Sequence, residues 1–169
     1  AILINKLGQR FCDERSWPGR EIAVPRQPDK VAYILLGQRQ IEKYSAWPDF
    51  ISTAPEIAYA YVEDYLRLRA DVAIEAGTLP ELAERRGLPA DTIAATVEAN
   101  NRGLGESPDR DVAARRRLEG DRWVLLGPAK AYFTTTEGGA AINEQFEVLD
   151  SDGQPIPGLY AVGQNGLGG

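Results

Sequence analysis

Apolar residues fall in short runs punctuated by glycine, proline and charge, and the spacing changes along the chain. Ile2-Leu3-Ile4-Asn5 and Gln9-Arg10-Phe11-Cys12 flank Lys6-Leu7-Gly8, a pattern that predicts a β-hairpin with Gly8 at the positive φ of its loop. Val31 to Leu36 is a continuous apolar run bounded by Asp29 and Gly37, which predicts a buried strand. Residues 38–52 are mixed and lean helical. From Thr53 the period shifts to 3.6. Thr53 and Glu56 have capping-box spacing, and Tyr61, Tyr65, Leu68 and Val72 line one face of a helix expected to end at Gly77. Thr78-Leu79-Pro80-Glu81 repeats the capping signal, with Gly87 as the stop. A third helix is expected from Pro89 to about Gly103, burying Ile93, Ala94 and Val97. Together the last two form a helical hairpin turned at Gly87-Leu88-Pro89.

Residues 103–122 read as a long exposed connection, mostly polar and carrying Asp109-Arg110-Asp111 and Arg115-Arg116-Arg117. The apolar pattern resumes at Trp123-Val124-Leu125-Leu126 and breaks at Gly127-Pro128, where a domain boundary is expected. In the tail, Ser151-Asp152-Gly153 marks a turn between Phe146–Leu149 and Gln154-Pro155-Ile156. Leu159-Tyr160-Ala161-Val162-Gly163 is then expected to be a buried strand. It delivers the loop Gly163-Gln164-Asn165-Gly166-Leu167-Gly168-Gly169 to a ligand crevice. Taken alone, these glycines also suit an ordinary hairpin with turn glycines. The fold class expected is α+β.

The 169 residues, with 43% hydrophobic and 26% charged, suffice for one domain or for a small domain and part of another. No apolar run approaches the roughly 18 residues of a membrane span. Ala1-Ile2-Leu3-Ile4 has neither an initiator Met nor the basic region of a signal peptide, and the expectation is a fragment cut at both ends. The net charge of −6 is uneven: residues 128–169 hold one Lys against five acids, residues 1–127 hold 18 bases against 20 acids. That balance argues against a nucleic-acid groove. Cys12 cannot form an internal disulfide and fits a reducing, cytoplasmic compartment; as a small buried hydrophobe it needs no chemical role. With no His, the His-dependent nucleophile schemes and the usual zinc sets are excluded.

The order of these pieces carries more than each piece alone. Ala1–Asn5 with Gly8-Gln9-Arg10-Phe11 and Asp13-Glu14, then Thr78–Ala83 with Ile93–Asn101, then Glu137-Gly138-Gly139, then Gly153–Gly163, follow one another as in a known family. The chain resembles the flavoproteins that include fumarate reductases, succinate dehydrogenase flavoprotein subunits and ketosteroid dehydrogenases. The resemblance implies a doubly wound FAD domain interrupted by a smaller α+β capping domain. Residues 1–127 would be most of the cap and residues 128–169 the return into the FAD domain. The glycine-rich fingerprint for the FAD diphosphate is absent from this sequence and would lie upstream.

By the same resemblance, Gly163 and Gln164 are cofactor-binding positions, Gln164 standing where the family usually has a Glu on the ribitol of FAD. Thr134 and Thr135 stand where fumarate reductases have two His, one on a substrate carboxylate and one against the flavin. This makes Thr134 a substrate position and Thr135 a cofactor position, without the positive charge that fumarate or succinate chemistry uses. Arg116, or Arg115 beside it, aligns with the stretch implied to hold the proton-donating arginine, although Ala114 replaces an expected aromatic. A solvated basic face is the competing reading of that run. Glu14 reads as a salt-bridge partner. The implied function is an FAD-dependent oxidoreductase acting on a C–C bond beside a carbonyl or carboxylate, with a small-molecule substrate and the remainder of the FAD domain as partners, and no nucleic acid or membrane. This length alone is expected to be inert. The alternative is a stand-alone α+β binding module without redox chemistry.

Overall fold

The computed structural model describes residues 1–51, 60–105, 113, 116–132 and 138–166. The chain forms two compact units, Ala1–Ala131 and Tyr132–Gly169. In the first unit the elements are β1 (Ile2–Ile4), α1 (Gly19–Ala23), β2 (Ala32–Leu36), α2 (Gln38–Lys43), α3 (Val62–Leu68), β3 (Ala73–Ala76), α4 (Leu79–Arg86), α5 (Ala90–Gly105) and β4 (Trp123–Ala129). The strands make an antiparallel sheet in the order β1-β2-β4-β3.

Strand register separates two apolar faces. Ile2 pairs with Leu35, Leu35 with Leu125 and Leu125 with Ile74, one row across the sheet. That face packs with Leu82, Ala83, Leu88, Ile93 and Val97 of the α4–α5 hairpin. The next row, Leu3, Ile34, Leu126 and Ala73, points the other way. Its Leu126–Ala73 end is covered by Ile41, Val62 and Tyr65 from α2 and α3. β2 is buried on both faces, which is why it reads as an unbroken apolar run.

Local signals explain the hairpin. Thr78 Oγ1 accepts the Glu81 N–H at 3.3 Å, and the Glu81 carboxylate accepts the Gly77 N–H at 3.3 Å. Gly87 takes φ +69° and lets the Leu88 N–H reach Ala83 O at 2.9 Å, so Leu88 turns inward. The loop after β1 is tight, with Gly8 at φ +74°. Thr96 Oγ1 donates to Gly8 O at 2.8 Å. A Cβ on Gly8 would meet Ile93 N at 3.2 Å, so glycine there permits both the turn and its approach to α5. The second arm of the expected hairpin is reduced to one bridge, Ile4 with Arg10.

Four expectations change in this unit. The helix drawn through Val72 ends at Leu68, which is 68% exposed, and the chain is extended again by Ala73, where β3 pairs with β4. Pairing at the sheet edge overrides the helical period there; the Thr53–Glu56 start lies outside the described residues. Ala94 is exposed, one position off the stripe with which Ile93 and Val97 enter the core. The connection after α5 is not wholly exposed: Leu118 is 1% exposed, its C=O accepting from Asn101 Nδ2 at 2.7 Å and its N–H donating to Asn101 Oδ1 at 2.9 Å. The break at Gly127-Pro128 lies inside β4, and the two units divide after Ala131.

In the second unit, β5 (Glu147–Leu149) and β6 (Pro155–Tyr160) form an antiparallel ribbon. The turn between them has Gly153 at φ +77° and Asp150 Oδ1 accepting the Asp152 and Gln154 N–H groups. The strand expected to be buried is exposed, with Leu159 47% and Val162 64% accessible, because a two-stranded ribbon has no second layer to cover it.

Candidate functional site

On the first unit, the Leu3–Ile34 end of the sheet's second face is only partly covered by α2 and α3. It borders a cavity of about 630 Å³, with Ile2 and Tyr44 completing the apolar wall. The polar lining is strongly one-signed: Arg15, Arg20, Arg39, Lys43 and Arg116 against Glu14. These side chains come from the loop after β1, from α1, from α2 and from the segment between α5 and β4, so the fold assembles them from distant segments.

Glu14 is held by Arg10 in two contacts, Nε to Oε1 at 2.9 Å and Nη2 to Oε2 at 2.6 Å, and accepts the Leu3 N–H at 3.0 Å. Burial pushes its pKa up, but Arg10 and the backbone donor outweigh that and leave it below the ordinary glutamate value. The salt-bridge role expected of Glu14 is what the geometry has. Arg20 Nη1 donates to Glu14 O at 3.1 Å, fixing α1 beside the cavity. Arg116 is half-buried and helical in backbone, with the Arg117 N–H bonded to Ala113 O at 3.1 Å. It makes no ion pair or hydrogen bond among the described residues.

Of the positions expected at the site, Arg116 thus borders the cavity. Arg115, Thr134 and Thr135 lie outside the described residues. Gly163 and Gln164 belong to the second unit, in a single turn over Gly163–Gly166. Gly163 has φ +61°, and both residues are exposed. The turn packs closely on Gly139, where a Cβ would meet Gln164 O and Asn165 O at 2.7 Å, and Ala140 N–H donates to Asn165 O at 2.8 Å. Arg15, Arg20, Arg39 and Lys43 were not singled out from sequence, because each is an ordinary surface cation until the fold gathers them.

A family profile described as FAD binding domain matches residues 1–168. The chain belongs to that family. Relatives include 4-oxocyclohexanecarboxylate 2-dehydrogenase of Sinomonas cyclohexanicum, 32% identical over 96% of this chain and 31% of the relative. Urocanate reductase of Eggerthella lenta is 33% identical over 97% of this chain and 26% of the relative. The open conformation of a flavocytochrome c3 fumarate reductase superposes with a TM-score of 0.65 at 25% identity, covering 99% of this chain and 27% of that one. The chain therefore spans a third or less of the length of these relatives. The α+β class and the flavoprotein resemblance agree with these matches, and FAD is the family's cofactor.

The Gly163–Gly166 turn keeps Gly163, Gln164 and Asn165 at the surface, and the close packing at Gly139 holds its shape. Among the described residues no helix is long and apolar enough to cross a membrane, and no cluster of metal-ligating side chains occurs.

Proposed function

We propose that this chain is part of an FAD-dependent oxidoreductase that adds or removes hydrogen across a C–C bond beside a carbonyl or carboxylate. The Ala1–Ala131 unit would act as its capping domain and the Tyr132–Gly169 unit as its return into the FAD domain, a boundary a few residues after the one expected from the sequence. The observation that carries the reading is the cationic, apolar-walled cavity in a chain whose family binds FAD. The relatives' names point to unsaturated or ketone-bearing substrates. FAD would supply the hydride chemistry, and the chain's own residues would bind, orient and shield the substrate. Gly163 and Gln164 would contact the cofactor, with Thr135, and Thr134 would contact the substrate. Arg116 is the active-site arginine of this proposal. The chain by itself would be inert, since it has no dinucleotide fingerprint, and a cytoplasmic location is supported by its single unpaired Cys12.

Arg116→Ala in the full-length enzyme tests the assignment. The expected result is a sharp fall in kcat/KM with FAD content unchanged. Turnover near that of the parent enzyme removes Arg116 from the site.

A further inference from the structure

Arg116 stands at the head of a short segment whose backbone is held from two helices. The Arg117 C=O accepts from Gln40 Nε2 at 3.1 Å, the Leu118 C=O from Asn101 Nδ2 at 2.7 Å, and the Glu119 C=O from the Gln38 N–H at 3.0 Å. Three consecutive carbonyls thus have three different donors, two on α2 and one on α5. The two carboxamides use their oxygens as well. Gln40 Oε1 accepts the Gly37 N–H at 3.2 Å, and Asn101 Oδ1 accepts the Leu118 N–H at 2.9 Å. Asn101 therefore meets both backbone groups of Leu118, as a neighbouring strand would.

Keeping the segment on the core needs no amide, because the buried Leu118 side chain already does that. Burying a carboxamide costs free energy unless both its ends are bonded, and Gln40 is 4% exposed. What a fully bonded pair adds is one specified geometry rather than much net stability. Each fixed carbonyl fixes a peptide plane, and three in a row set the direction in which the Arg116 Cα–Cβ bond leaves the backbone. We infer that Gln40 and Asn101 are positioning residues for Arg116, joining α2 and α5 to the segment that carries it. The inference rests on the active-site reading of Arg116 for its effect on turnover; the geometry of the clamp does not.

Asn101→Asp and Gln40→Glu keep the size and the acceptor of each side chain and remove only its donor. In the full-length flavoprotein, phenylglyoxal modification mapped by mass spectrometry reads each arginine separately. Both variants are expected to raise the Arg116 rate severalfold and to leave Arg102, exposed on α5, unchanged. Thr78→Ala, which uncaps α4, should leave the Arg116 rate at the parent value, separating a loosened segment from a general loss of stability. An Arg116 rate that neither variant moves, or that Thr78→Ala raises equally, overturns the inference. Turnover is the second readout, with trans-cinnamate and 2-cyclohexenone as probe substrates. Asn101→Asp is expected to lower kcat/KM by roughly ten- to a hundredfold. In the Arg116→Ala background it should lower it no further, since nothing is left to position. Losses that multiply overturn the inference. If Arg116→Ala alone turns over like the parent, the active-site reading of Arg116 falls, and the modification rates still decide what holds that residue.

Discussion

Glu14 shows how one side chain holds the cavity's edge. Its carboxylate joins Arg10 to the backbone of β1, and its folded pKa is depressed. A depressed acid contributes stability that is present above its ordinary value and is lost as pH falls through the folded one. Glu14→Gln should therefore destabilise the chain at neutral pH by about 1 kcal/mol, a figure kept small because the pair is partly solvated. The gap between variant and parent should close as the pH drops below the ordinary glutamate range. Denaturant melts at neutral and acid pH check both parts; a gap that widens in acid contradicts the assignment. The salt-bridge role of Glu14 was legible in the sequence. The cationic neighbours were not, because Arg15, Arg39 and Lys43 meet only in three dimensions.

At the scale of elements, signals that act within a few residues read correctly and signals that depend on pairing did not. Thr78, Glu81 and Gly87 delimit α4 through contacts four residues apart or less. Thr78→Ala should cost about 1 kcal/mol, as loss of an N-cap does, measured as a lower urea midpoint with unchanged slope; an unchanged midpoint would mean the cap contributes nothing. By contrast, Tyr61, Tyr65, Leu68 and Val72 fit a helical stripe, but the Ala73–Ala76 backbone is claimed by β4. Arg122 reinforces the change of direction, bonding Glu63 of α3 at 2.7 Å and Glu75 of β3. The Leu118 anchor was hidden for a similar reason: its partner, Asn101, is 17 residues away and polar. In the tail, the hairpin turn at Gly153 was legible, whereas the burial of Leu159 to Val162 was an inference from composition that a lone ribbon cannot satisfy.

For the whole molecule, an antiparallel sheet backed by the α4–α5 hairpin leaves one end of its other face partly open, and the cavity with Arg116 forms there. A second unit carries a glycine turn packed closely on Gly139. Family membership joins these into the proposal of a cap and part of a flavin site, in a chain that spans a third or less of its relatives. The most direct test is the flavin content of the intact native protein, set beside FAD titration of residues 1–169. The account predicts one tightly bound FAD per native chain and no tight stoichiometric binding by the 169 residues alone. A colourless native protein, or one-to-one tight FAD binding by the 169-residue chain, would contradict it.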